Sequence, residues 1–278
     1  LITGVNSGIG HYFAGTLARR GYRVIGTCRS PEKLDPGLLA LPDFYAVAMS
    51  LDSDESIDQA FLQLHEYCDD KGLYALINNA GIVSAGPLSH IGMQEVRQQF
   101  QVNVMAPLRL VQCCFELLRR QAPQARIINI SSVSGLFASP FIGAYAGSKF
   151  ALEGLSDSLR RELALVGIRV VLIEPGSIRS PIWQKQLGIG HRFSNSPYAA
   201  YVTSADERIA AMEREAQGPE CLLPSLLHAL ESSSPRARYL VHPKKWLIRL
   251  LVHYLPTTFV DRLVVRKIRA GHRAIRPF

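Results

Sequence analysis

The chain has 278 residues, of which 47% are hydrophobic and 19% charged; this is enough to bury one sizeable core and excludes a disordered or fibrous protein. Its formal charge of +8 is unevenly spread: of 31 Lys/Arg and 23 Asp/Glu, 11 bases and one acid lie from Arg236 onward, leaving 20 bases against 22 acids before it. A nucleic-acid partner is therefore not expected, because the excess sits in a tail where bases alternate with Trp, Leu, Ile and Val.

Read in chain order, short β-branched runs at residues 1–3, 22–27, 44–48, 75–78, 126–130 and 169–173 alternate with stretches of helical period at 10–20, 54–71, 93–121 and 144–166. This βαβα order predicts an α/β fold with one doubly wound parallel sheet, helices on both faces, and a ligand crevice beyond the carboxyl ends of the strands. Residues 181–218 break the pattern with Gly188, Gly190, Pro197 and a charged helix near 206–215, and are expected to form a helical lid. A helix over 221–230 and a last strand at 238–241 complete a domain of residues 1–242, leaving 243–278 as a basic amphipathic tail. No apolar run approaches the ~20 residues of a spanning helix. Five scattered cysteines carry no metal-ligand or disulfide pattern, so no metal and a reducing, cytoplasmic setting are expected. No secretory signal opens the chain, although Leu1 already lies in an apolar strand and residues upstream are expected.

The first turn carries the first chemical signal. Thr3-Gly4-Val5-Asn6-Ser7-Gly8-Ile9-Gly10 follows a strand and opens a helix, so three glycines stand where a chain reversal and a close approach to pyrophosphate demand no Cβ, with backbone N–H groups facing the anion. At the end of the second strand, Thr27-Cys28-Arg29-Ser30 lacks the acid that would select NAD. Arg29 and Ser30 instead offer a cation and a hydroxyl to a 2′-phosphate, which favours NADP(H); the alternative is an exposed surface arginine.

Tyr145 and Lys149 stand four apart in a helical segment and so share a face. A phenol titrates near ~10, and a neighbouring ammonium is expected to draw it towards the working range. Thirteen residues upstream of Tyr145, Ser132 follows the strand at 126–130, at a carboxyl edge where its hydroxyl reaches the same substrate oxygen.

With these residues in hand, the chain from residue 1 to about 242 resembles the short-chain dehydrogenase/reductase family. The resemblance rests on Thr3-Gly4-x-x-x-Gly8-Ile9-Gly10, Asn78-Asn79-Ala80-Gly81, Asn103, Ser132, Tyr145-x-x-x-Lys149 and Pro175-Gly176. It implies a Rossmann domain in which Tyr145 transfers a proton, Ser132 binds the substrate oxygen, Lys149 holds the nicotinamide ribose and Asn103 continues the proton relay through a water. It also implies cofactor contacts at Thr3, Gly4, Ser7, Gly8, Ile9, Gly10, Asp52, Asn79, Tyr145, Lys149, Pro175, Gly176, Ile178 and Ser180. Ser180 departs from the more usual threonine but keeps a hydroxyl.

A looser likeness, over residues 198–212, 226–230 and 236–239 and in Trp246, Leu255-Pro256 and Asp261, is to the retinol, 17β-hydroxysteroid and 3-hydroxybutyrate dehydrogenases. It implies a lipophilic alcohol or carbonyl substrate, with Val133, Phe137, Phe141, Ile182, Trp183 and Phe193 as lid contacts, in a homo-oligomer. In the tail, Val260, Leu263, Val264 and Ile268 share one face while Arg262, Arg266, Lys267 and Arg269 lie largely away from it, an arrangement suited either to peripheral contact with a membrane surface or to packing on protein. Two other functions fit part of the pattern: a 3-oxoacyl reductase, which needs neither lipophilic lid nor tail, and a dinucleotide-sensing protein without catalysis.

Overall fold

The computed structural model describes residues 1–68, 71–203 and 205–273. Seven strands, β1 (Ile2–Thr3), β2 (Val24–Cys28), β3 (Phe44–Ala48), β4 (Ala75–Asn78), β5 (Arg126–Ile130), β6 (Arg169–Pro175) and β7 (Arg238–Val241), form one sheet in the order β3-β2-β1-β4-β5-β6-β7. Every pairing is parallel. Strands β2, β4 and β5 are buried along their whole length, as a parallel sheet covered on both faces requires, and this is why they read as continuous apolar runs.

The helices are α1 (Gly8–Arg19), the single turn α2 (Pro36–Leu39), α3 (Asp54–Cys68), α4 (Met93–Phe100), α5 (Ala106–Arg120) and α6 (Gly143–Ala164). Beyond β6 come α7 (Ile189–Arg192), α8 (Ala199–Val202), α9 (Ala205–Glu215) and α10 (Leu223–Glu231), and after β7, α11 (Lys245–His253) and α12 (Thr257–Arg273). One core layer joins α1 and α10 to the sheet through Phe13, Leu17, Leu226 and Ile128; the other joins α3 and α5 to the opposite face through Ile57, Leu64, Leu110, Leu117 and Ile127. The chain reverses its direction of winding between β1 and β4, so a crevice opens at their carboxyl ends.

The continuous helix expected over 93–121 is in fact two helices joined by a π-helical turn, Gln101–Met105. Such a turn changes the hydrogen-bond pattern of only a few residues and both flanking segments keep helical period, so the apolar pattern on either side reads as helix without marking the junction. β6 runs two residues further than expected, since Glu174 and Pro175 pair with Leu240 and Val241 of β7. That edge strand is held by charge as well as by the ladder: Arg238 pairs with Asp157 and Glu174, each at 2.9 Å, and with Glu153. Both glutamates are nearly fully buried.

Candidate active site

The crevice is lined by the glycine turn before α1, the ends of β2 and β3, the loop after β4, and residues 180–182 after β6, with Gln98 and Val102 closing one side. Gly4 and Gly8 have φ of +74° and +56°, which only glycine adopts without strain. Space decides just as firmly: a Cβ on Gly8 would lie 2.8 Å from that of Ser180, and one on Gly10 would lie 2.3 Å from the Gly4 carbonyl oxygen. Ser7 stands at the N-cap of α1 without a side-chain cap, and the first turn has no acid. Free N–H groups and the positive end of the helix dipole are thus left for an anion.

Thr3 is buried and acts one layer below. Its Oγ1 accepts hydrogen bonds from Asn79 and Ala80 N–H, both at 3.0 Å, while Asn79 Nδ2 donates to the Thr3 carbonyl at 2.8 Å. These bonds tie the ends of β1 and β4 together and set the cavity floor. Arg29 is exposed at the rim and makes no ion pair among the described residues, and Asp52 lines the far wall with its carboxylate bound by the Ser50 hydroxyl. Free helix-terminal N–H groups, an unpaired guanidinium and glycines that leave room for a backbone-hugging ligand together fit a nicotinamide dinucleotide.

Of the residues expected to contact the cofactor, Gly4, Ser7, Gly8, Ile9, Arg29, Asp52, Asn79 and Ser180 line this cavity. Thr3, Gly10, Ser30, Tyr145, Lys149, Pro175, Gly176 and Ile178 are not among its lining. Gly176 lies against His242 so closely that a Cβ would meet the imidazole at 2.5 Å, and Ile178 bridges Gln217 at the base of the lid. Sequence reading assigned no contact to Asn6, Thr27, Cys28, Met49, Ser50, Leu51, Ala80, Gly81, Ile82, Gln98, Val102 or Pro181, which with Ile182 make up the rest of the lining. For several the signal was positional, since they stand at or just after the ends of β2 and β3, and Asn6, Ala80 and Gly81 fall within the motifs themselves.

Tyr145 and Lys149 project from the first turns of α6 and are both buried, at 8% and 4% exposure. The Tyr145 phenol lies near enough to Ser132 for that hydroxyl to favour its ionised form, and Ser132 Oγ accepts from Ser134 N–H at 3.0 Å at the start of a short turn after β5. Lys149 Nζ donates to the Ile130 carbonyl at 2.8 Å and stands 5.8 Å from the centroid of the Tyr145 ring. The expected downward shift of the phenol is not what this environment produces. Burial pushes Tyr145 above the ordinary tyrosine value, because an apolar enclosure penalises phenolate, and the neighbouring Ser132 hydroxyl pulls it back in part. The same burial lowers Lys149 to about 8.

Asn103 lies at the centre of the π-helical turn and is 1% exposed. Its Oδ1 accepts from Ile82 N–H at 2.9 Å, and its Nδ2 donates to the Ile82 carbonyl and to Ser148 Oγ, each at 3.0 Å. A Cβ on Gly81 would fall 3.3 Å from Asn103 Oδ1 and 3.8 Å from Lys149 Nζ. The asparagine therefore pins the loop after β4 to α6, and its amide and the Lys149 ammonium both border the space beside Gly81.

Above Tyr145 lies an apolar cluster of Val83, Ala85, Phe141, Ile182, Trp183, Ile189, Phe193 and Val202. Trp183 meets the Tyr145 ring edge-on at 6.0 Å between centroids. Four of the six residues expected from the lid, Phe141, Ile182, Trp183 and Phe193, belong to this cluster; Val133 and Phe137 do not. Gln186 fastens the lid, donating to the Val83 carbonyl at 2.7 Å and accepting from Ala85 N–H at 3.0 Å, and Arg192 pairs with Glu95 at 2.8 Å. Phe141, alone among the described non-glycine residues, has a positive φ, of 67°. Its carbonyl accepts from Gly86 N–H at 2.7 Å, and such local strain is retained where surrounding contacts over-determine the backbone.

Comparison with known proteins agrees with this geometry. A family model described as short chain dehydrogenase matches residues 1–187. The NADPH-dependent 3-dehydrocapnine reductase of Ornithobacterium rhinotracheale is 32% identical over 273 residues, covering 97% of this chain and 96% of that protein. Human retinol dehydrogenase 5 is 32% identical over 277 residues, covering 95% and 86%. Among solved structures, a short chain dehydrogenase/reductase from Burkholderia phymatum in complex with NAD superposes with a TM-score of 0.77 at 23% identity, covering 90% of each chain. The chain is a member of the short-chain dehydrogenase/reductase family, an oxidoreductase acting on CH-OH and carbonyl groups.

Proposed function

We propose that this protein is an NADP(H)-dependent oxidoreductase that interconverts a hydrophobic alcohol and its ketone or aldehyde. The observation that carries the reading is a buried Tyr145 phenol, close to Ser132, beneath a lid cluster made of apolar and aromatic side chains. A polar substrate would leave its own groups unpaired against such a surface. Preference for NADP(H) is supported by the unpaired Arg29 at the cavity rim and by the NADPH dependence named for the 3-dehydrocapnine reductase. Retinol dehydrogenase 5 is a second relative named for an alcohol.

Bound in the crevice, the nicotinamide supplies the hydride for reduction or takes it up in oxidation. In the reductive direction Ser132 donates a hydrogen bond to the carbonyl oxygen, and Tyr145, held protonated by burial, gives that oxygen its proton as negative charge develops. One well-placed donor of this kind is worth about 3 kcal/mol of barrier. Lys149, as an ammonium, then stabilises the phenolate that remains, and Asn103 keeps Gly81 and the loop after β4 in place beside it. The lid excludes water and orients the carbon that receives hydride.

The test is consumption of NADPH and of NADH against a panel of retinoids, steroids, long-chain ketones, aldehydes and 3-oxoacyl thioesters. Faster turnover of lipophilic carbonyls with NADPH is expected. Activity confined to short 3-oxoacyl thioesters would replace the substrate class with the acyl alternative, and cofactor binding without turnover of any member would leave a dinucleotide sensor.

A further inference from the structure

The last two helices carry two apolar faces where packing on the domain uses one. On the inner face, Ile248 and Val260 are buried and Leu251, Val252, Val264 and Ile268 half-buried. The outer surface still presents Trp246 (66% exposed), Leu250, Tyr254 (78% exposed), Phe259, Leu263 and Val265. Leaving six large apolar side chains in water on two adjacent helices is costly enough to mark an interaction surface. Around them Lys244, Lys245, Arg262, Arg266, Lys267 and Arg269 are exposed and form no ion pair among the described residues; Asp261 is the one acid of the two helices.

Charge decides what covers this face. A second copy of the chain would meet it by two-fold symmetry, like patch against like, and bring two unpaired cationic clusters together at an interface of low dielectric. An anionic surface instead pairs with the bases while the apolar side chains enter an apolar phase. No helix among the described residues is long and apolar enough to cross a membrane, so contact must be parallel to the surface. We propose that α11 and α12 form a platform that docks on a bilayer containing anionic phospholipid, with Trp246, Leu250, Phe259 and Leu263 entering the acyl boundary and the lysines and arginines at the headgroups. α12 also packs against α8, the segment that supplies Val202 to the lid cluster. The docking platform and the wall over Tyr145 are therefore one packed unit. On the functional reading above, this places the route of a lipophilic substrate next to the lipid that dissolves it.

The experiment is vesicle flotation of the full chain, using phosphatidylcholine alone and phosphatidylcholine with about 30% phosphatidylserine, at about 0.1 M and about 1 M salt. Three proteins are compared: the unaltered chain, Trp246→Ala with Leu250→Ala, and Arg262→Glu with Arg266→Glu. Binding is expected only to the anionic vesicles, weaker in high salt, and reduced by at least about tenfold in partition by either double variant. Both variants should keep NADPH-dependent turnover of a water-soluble ketone and an unchanged thermal midpoint, which separates lost docking from lost folding. Absent flotation, or flotation equal in all three proteins, overturns the proposal. A particle size that halves on Trp246→Ala with Leu250→Ala, without flotation of the unaltered chain, assigns the face to a second copy instead. Loss of turnover in every protein would refute the functional reading while leaving the flotation result to decide docking by itself.

Discussion

At the scale of single residues, the chemistry turns on two groups whose proton affinities burial moves in opposite directions. Tyr145 is kept protonated, and Lys149 carries its charge only below about 8. Carbonyl reduction is therefore expected to hold its rate through neutral pH and to fall as pH rises past about 8, where the ammonium that stabilises the developing phenolate is lost; a kcat profile between pH 6 and 10 checks the sign. Tyr145→Phe removes the transferable proton and should cut kcat by about 10²–10⁴-fold, while the dissociation constant for NADPH, read by fluorescence, stays within a factor of a few. At the cavity rim, Arg29→Asp replaces a cation with a carboxylate, which repels a 2′-phosphate and accepts hydrogen bonds from a 2′-hydroxyl. The NADPH/NADH ratio of kcat/KM should fall by roughly 10–100-fold, in keeping with the loss of a charged hydrogen bond of about 1.5–3 kcal/mol.

At the scale of elements, the polar side-chain contacts that fasten the lid to the loop after β4 and to α4, among the described residues, are two hydrogen bonds from Gln186 and one ion pair from Arg192 to Glu95, beside the backbone pairing of Gln217 at its base. The ion pair is partly exposed and so contributes little, which leaves Gln186 as the main polar fastening. Gln186→Ala should raise KM for a lipophilic substrate several-fold and speed proteolytic cleavage within residues 181–218, with little change in global stability; an unaltered cleavage rate would show that apolar packing alone holds the lid. The π-helical turn between α4 and α5 belongs to the same scale. Local sequence spacing read it as ordinary helix, yet the turn is what lets Asn103 reach the Ile82 backbone and Ser148 at once. Asn103 itself was legible as a residue of interest, whereas its set of partners was not, because they lie 21 and 45 positions away.

At the scale of the whole molecule, Arg238 joins the edge strand to the body through three carboxylates, two of them buried. One guanidinium cannot balance three anions, and burial accordingly pushes Glu174 up to about 7, with Asp157 adding to the rise and Arg249 opposing it. The sign for stability follows. Between about 4.5 and about 7 the folded chain holds a proton on Glu174 that the unfolded chain releases, so this group makes the protein less stable as pH rises through that window. Glu174→Gln should flatten that part of a stability profile measured by urea denaturation. Removing the shared cation should be worse than removing an anion: Arg238→Leu leaves two buried carboxylates unpaired and is expected to lower stability by about 2–4 kcal/mol, read as a fall in the urea midpoint.

What the order of residues settled alone was everything that depends on neighbours in the chain. The alternation of strands and helices, the glycine turn before α1, the four-residue spacing of Tyr145 and Lys149, and the position of Ser132 after β5 are all local patterns, and each survived folding because the backbone itself imposes its period. The tertiary structure decided what depends on distant partners. It reversed the direction expected for the Tyr145 phenol, admitted Phe141 and Trp183 to the wall above it while leaving Val133 and Phe137 out, and assembled the Arg238 cluster from β6, β7 and α6. Burial and charge are sums over everything that packs nearby, and in a doubly wound sheet most of what packs nearby comes from far along the chain.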